Sequence, residues 1–221
     1  VCNLLGVHHP DNVLGVHVTY PAEPYLGPGA PPLSDDEQRF LAGRAPGQEA
    51  EGGYTHIQRT KPLTLSYGLN DSPAGLAAWL VEKYRAWRDP GGEVERRFFK
   101  DDLLTTVMYW LTETIGSSFR LYRDWALGAE SNPHAWEGRD DIPGGVASKP
   151  LGAGERVRAP AALALFPADP SASMPRRWAA RGYADLRRFT RMPQGGHFPA
   201  LEEPELLAED LRAFFRPLRA A

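Results

Sequence analysis

Two residues far apart in the chain have the types and spacing to act together. Asp169 lies in Pro167-Ala168-Asp169-Pro170, just after the short apolar run from Val157 to Phe166. His197 lies 28 residues later (197 − 169) in Gly195-Gly196-His197-Phe198. An imidazole exchanges protons near neutral pH, and a carboxylate against it holds the ring in one tautomer and orientation. The chemistry on offer is general-base activation of water. The apolar run reads as a buried strand, Met174 to Arg181 as a helix, and Leu186 to Met192 as a second strand. Leu207, Leu211, Phe214 and Leu218 then recur at helical spacing, with Pro204 suited to the first turn. The acid thus follows one strand and the histidine follows the next, where open α/β sheets place their ligands. Plainer readings also fit: His197 as a surface-loop residue, Asp169 as a cap for the following helix.

Composition narrows the partners. The chain has 221 residues, enough for one sizeable core or a core with a small inserted domain. The net charge of −3 comes with no basic patch, so no nucleic-acid partner is expected. No apolar run nears the roughly 20 residues that span a bilayer, so no membrane segment is expected in this portion. Separately, a cytoplasmic location is expected. The single cysteine, Cys2, excludes an internal disulfide and a cysteine-based metal site. The six histidines show no ligand spacing: His8 and His9 are adjacent and the rest are scattered. Neither a metal nor a cofactor is expected.

Taken in order, the chain opens with a helical stretch from Val1 to His9, a turn at Pro10-Asp11, and a β-branched strand from Val13 to Tyr20. Pro21 to Gly53 is rich in proline, glycine and acids, with one short helix expected from Leu33 to Leu41 after the cap Ser34. Asp71-Ser72-Pro73 signals a helix that runs to Trp87 and ends at Asp89-Pro90-Gly91-Gly92. Asp101-Asp102 signals another, expected to run to about Trp125. Residues 132–153 read as a loop. Three parts follow: a partial α/β core at 1–29, a mainly helical cap at 30–150, and the rest of the core, with acid and histidine, at 151–221.

The order of acid and histidine matches the end of an α/β-hydrolase triad. Gly195-Gly196-His197-Phe198-Pro199-Ala200 with Glu202-Glu203-Pro204 resembles the C-terminal signature of epoxide hydrolases. Gly53-Tyr54-Thr55-His56-Ile57-Gln58, Thr60-Lys61-Pro62 and Leu69-Asn70-Asp71-Ser72-Pro73-Ala74-Gly75-Leu76-Ala77-Ala78-Trp79 resemble the microsomal-type branch of that family. Glu82-Lys83-Tyr84 and Asp101-Asp102-Leu103-Leu104-Thr105 extend the likeness over nearly the whole chain.

The resemblance implies an α/β-hydrolase fold with a helical cap, and a small-molecule epoxide and water as substrates. It implies that His197 activates water, Asp169 orients it, and Tyr54 and Tyr122 donate to the epoxide oxygen. It also implies that the aspartate nucleophile lies a few residues before Val1, outside this chain, which alone should then be inactive. Tyr109, beside Trp110, is read as packing, and His56 as structural or as support for Tyr54. Glu202 and Glu203 are expected to favour the N-terminus of the last helix electrostatically. Phe198 fits pocket wall or core. An esterase, a haloalkane dehalogenase or a truncated non-catalytic chain would share the acid and histidine.

Overall fold

The computed structural model of the chain describes residues 1–90, 104–130 and 151–219. Its centre is strand β2, Ala161–Leu165, buried along its whole length. Ala161, Leu163 and Leu165 pack on one side with Val16, Trp178 and Tyr183. Ala162 packs on the other side with Phe214 and Leu218, and Ala164 with Phe166 and Met192. A strand covered on both faces has no wet side, which is why this run is apolar throughout rather than alternating.

Strands β1, Val16–Val18, and β3, Leu186–Arg191, flank β2 in the order β1-β2-β3, both parallel to it. Val16 lies opposite Ala161, and Leu163 opposite Phe189. β1 is shorter than the run from Val13 to Tyr20 suggests. Pro21 has no N–H for a ladder, and Pro10–Asn12 forms a turn of 3-10 helix just before.

Helices cover both faces of the sheet. Helix α1, Cys2–His8, leads into β1 and buries Val7 in the core. The last helix, Pro204–Leu218, lays Phe214 and Leu218 on the opposite face and also buries Asp210. That carboxylate accepts from His17 on β1 at 2.8 Å, and from Arg188 at 2.7 Å and Thr190 at 2.8 Å on β3. Burial alone would raise its pKa, but these three donors outweigh it and hold Asp210 at about 2.

Between β1 and β2 come α2, Asp35–Glu51; α3, Gly53–Thr60; α4, Pro62–Asp71; α5, Pro73–Trp87; helical residues 104–111; and α6, Ile115–Glu130. α2 runs ten residues beyond the short helix expected to end at Leu41 (51 − 41). The single helix expected to reach Trp125 is broken at 112–114, where Glu113 has φ 53. Its expected start at Asp101-Asp102 and the loop at 132–150 lie outside the described residues. Ser34 and Glu37 form a capping box on α2, and Ser72 Oγ accepts from Gly75 N at 3.0 Å on α5.

The insertion has its own small core of Leu69, Leu76, Ile115 and Phe119. Helix α7, Arg176–Gly182, connects β2 to β3 and ties the insertion down. Arg181 Nε donates to Glu37 at 2.6 Å, and Phe40 meets Trp178 edge-on at 5.5 Å. The short helix α8, Pro199–Glu202, precedes the last helix, α9.

Candidate active site

The three strands run in parallel, so their C-terminal ends open onto one edge of the sheet. Tyr20 follows β1, Asp169 follows β2 and His197 follows β3. Asp169 is buried, and its Oδ1 accepts from both the backbone N–H of Ser171, at 2.7 Å, and the Ser171 hydroxyl. Its Oδ2 faces His197 Nδ1 at 2.7 Å. Both of its oxygens are thus engaged by fixed donors. Asp169 therefore does not cap the next helix, which starts at Arg176 behind Pro175.

A carboxylate only accepts hydrogen bonds, so the proton of neutral His197 sits on Nδ1 and Nε2 is the basic nitrogen. The His197 side chain is 32% exposed, and Asp169 behind it 7%. That arrangement suits water activation: the base is reachable and its orienting partner is dry.

The loop that carries His197 is fastened to the end of α5. Gly195 has φ 101, a backbone only glycine takes up readily. A Cβ on Gly196 would lie 2.6 Å from the carbonyl oxygen of Trp87 and 2.8 Å from the backbone of Arg88 and Asp89. With no side chain in the way, His197 N donates to Trp87 O at 2.9 Å, and Gly195 N to Asp89 Oδ2 at 2.8 Å. Glu202 completes the joint. It is buried, accepting from Asp89 N at 2.7 Å and Phe198 N at 2.9 Å. Its oxygens thus join two chain segments instead of facing the N-terminus of α9, the role its sequence position suggested. Glu203 occupies that N-cap with no side-chain bond.

An aromatic row leads away from the histidine. Trp87 stands edge-on to the His197 ring at 5.2 Å, Tyr54 lies 5.4 Å from Trp87, and Tyr122 lies 6.0 Å from Tyr54. The four residues singled out in the sequence thus form two touching pairs, Asp169 with His197 and Tyr54 with Tyr122, and Trp87 bridges them. Burial, with Tyr54 beside it, pushes the Tyr122 phenol up to about 12. It remains a protonated donor at any physiological pH. Phe198 packs on Tyr84 at 4.8 Å. Tyr109 packs against the insertion core. His56 is exposed; its N–H donates to the Gly52 carbonyl at 3.2 Å and its carbonyl accepts from the Thr60 hydroxyl at 2.7 Å.

Sequence reasoning passed over Trp87, Lys83 and Tyr20. Tyr20 is half-buried, and its phenol is pushed up to about 12, first by desolvation and then by Glu23, with Asp169 and Tyr54 adding smaller influences. Arg44 donates to its hydroxyl at 3.3 Å and to Glu23 at 2.9 Å. No spacing rule marks such a residue; only the strand end it follows could have. Among the described residues no three His, Cys, Asp or Glu side chains gather as a metal site. No described helix is long and apolar enough to cross a membrane.

No protein-family model matches the chain. Curated sequences and solved structures do. The chain is 40% identical over 172 residues to epoxide hydrolase 1 of Sus scrofa, covering 74% of this chain and 34% of that protein. It superposes on the epoxide hydrolase of Aspergillus niger with TM-score 0.69 at 29% identity, over 98% of this chain and 49% of that one. The juvenile hormone epoxide hydrolase of the silkworm Bombyx mori shares the fold with TM-score 0.71 at 24% identity, over 99% of this chain and 52% of that one. The chain thus spans between a third and about half of the proteins it matches. Its parallel strands, its helical covering and these likenesses agree: the chain belongs to the epoxide hydrolases of the α/β-hydrolase superfamily.

Proposed function

We propose that this chain supplies the water-activating pair and the two oxygen-binding phenols of an enzyme that converts epoxides to vicinal diols. Residues 1–29 and 151–219 form part of the catalytic core, and the insertion between them acts as a cap. The attacking carboxylate comes from the part of its relatives' length that this chain does not span.

The steps balance as follows. A carboxylate oxygen bonds to an epoxide carbon, and the ring C–O bond breaks. Its electron pair passes to the ring oxygen, which takes a proton from Tyr54 or Tyr122. The product is an ester on the enzyme and a phenolate. His197 Nε2 then takes a proton from water as the water oxygen adds to the ester carbonyl. Asp169 stabilises the imidazolium. The ester C–O bond breaks, the leaving oxygen takes the remaining proton of the added water, the carboxylate is restored and the diol leaves. The proton gained by His197 balances the one lost by the phenol.

The observation that carries this reading is the pairing of Tyr54 with Tyr122 one tryptophan away from a His197–Asp169 pair. An ester or haloalkane substrate needs the acid and histidine but has no use for two phenols. The test is to assay the full-length protein that carries these residues with an aryl epoxide, an aryl ester and a haloalkane of matched size. Diol formation from the epoxide, with the other two far slower, is expected. Preferred hydrolysis of the ester or the haloalkane would overturn the reading.

A further inference from the structure

Lys83 takes no part in the chemistry above, yet it touches two members of the aromatic row. Its Nζ lies 5.4 Å from the ring centroid of Tyr54 and 5.4 Å from that of Trp87. Its position is fixed from behind. Glu51 Oε2 lies 2.8 Å away, the Glu51 carbonyl 3.4 Å away, and Glu82 Oε2 3.0 Å away. A lysine on the surface of a helix normally sweeps a wide volume. This one is pinned, with its side chain 20% exposed. Burial would favour the neutral amine, but the two carboxylates outweigh it and keep the ammonium charged. Glu51 ends α2, Tyr54 is the second residue of α3, and Lys83 and Trp87 stand one turn apart on α5. Three helices thus meet at one cation.

We propose that Lys83 is a positioning residue for ring opening: pinned by Glu51 over the Tyr54 and Trp87 rings, its charge holds the Tyr54 phenol toward Tyr122 and stabilises the negative charge that gathers on that phenol as it gives its proton to the epoxide oxygen. The inference rests on the reaction proposed above. Lys83 keeps its own proton throughout. An ammonium within about 6 Å of a ring centroid is attracted by the ring's negative face. That attraction grows as the phenol loses its proton, so it is stronger in the transition state than with substrate merely bound. Only such differential interactions accelerate a step. Ester hydrolysis at His197 involves no charge build-up on Tyr54 and should not feel Lys83.

The experiment uses the full-length protein and measures two rates separately: formation of the covalent ester by rapid quench and intact mass, and its breakdown. Lys83→Met keeps the length of the side chain and removes the charge. Ester formation is expected to slow about 3- to 30-fold, the range of a partly desolvated cation–ring contact, with breakdown unchanged. Lys83→Arg should recover most of the loss. In a Tyr54→Phe background, Lys83→Met should slow ester formation less than about twofold, because the group it serves is gone. Wild-type ester formation in Lys83→Met overturns the proposal, as does an equal fall in both steps, or the full loss persisting without the Tyr54 hydroxyl. Should Lys83→Met fail to fold, Glu51→Gln loosens the tie and keeps the cation. A twofold to fivefold slowing of ester formation alone is then expected, and none at all overturns the idea. Absence of diol formation by the unaltered enzyme would instead sink the reaction on which the proposal rests.

Discussion

Replacing Glu202 tests whether the histidine loop depends on its joint with the insertion. Its carboxylate accepts from two backbone N–H groups, those of Asp89 and Phe198, at 2.7 and 2.9 Å. Alanine removes both acceptors at once. An unsatisfied buried donor costs about 1–3 kcal/mol, and both amides are only part-buried, so the lower part of that range applies to each. The expected destabilisation is about 2–3 kcal/mol. Glutamine keeps one acceptor oxygen and turns an NH₂ toward the other amide. It should cost roughly half as much, about 1–1.5 kcal/mol.

The functional effect should be larger than the structural one suggests. His197 hangs between Gly195 and Phe198, the two points where this joint grips the loop. A displacement of about 1 Å can cost on the order of 10²-fold in rate. Urea unfolding of the full-length protein, followed by tryptophan fluorescence, gives the first quantity. Ester breakdown after a single turnover gives the second. The expected pattern is slowed breakdown with ester formation much less affected. A Glu202→Ala protein within about 0.5 kcal/mol of wild type, with normal breakdown, would refute the reasoning.

Four further outcomes are expected. His197→Gln should form the covalent ester and fail to release it, visible as a stable mass increase; normal turnover would remove His197 from its role. Tyr54→Phe and Tyr122→Phe should each slow ester formation, and the double variant far more, with Tyr109→Phe silent; damage from Tyr109→Phe alone would show the wrong phenols were chosen. Asp210 is held at about 2 in the folded chain, below its ordinary 3.8. The stability this gives is present above about pH 4 and is lost as pH falls toward 2, about 2 kcal/mol in all. Asp210→Asn should flatten that acid limb in a plot of urea midpoint against pH. Residues 1–221 expressed alone should form no diol from a reactive aryl epoxide, because the proposed reaction draws its attacking carboxylate from outside these residues; turnover by this chain would overturn that part of the proposal.

The pairing of Asp169 with His197 was legible because its signals are local. An apolar run breaking into Pro-Ala-Asp-Pro, and a Gly-Gly-His loop after the next strand, put an acid and a histidine at neighbouring strand ends, where they meet. The capped start of α5 was legible for the same reason: Ser72 followed by Pro73 carries its own stop and start. The far half of α2 was not. Gly43, Pro46 and Gly47 argue against a helix, and long-range partners from outside it support the fold there: Glu23 on Arg44 and Lys83 on Glu51. The pairing of Tyr54 with Tyr122 was available from family likeness alone, because 68 residues separate them (122 − 54) and no periodicity links them. The buried Glu202 was misread for a similar reason. Its place beside a helix start suggests a role in that helix, while one of its two partners, Asp89, lies more than a hundred positions earlier.

That joint bears on how such enzymes can be recombined. Specificity is often sought by transplanting one enzyme's helical insertion onto another's sheet, cutting where the chain leaves and re-enters the strands. Here the end of α5 and the residues just after it work as part of the histidine's own loop: Trp87 offers its carbonyl to His197, Asp89 its side chain to Gly195, and Gly196 lies bare against their backbone. A chimera that imports α5 from a donor while keeping the recipient's Gly195–Glu202 stretch would set mismatched backbones against each other at a distance of 2.6 Å from a missing Cβ. The transplant unit should therefore either stop before Trp87 or carry residues 195–202 along with it.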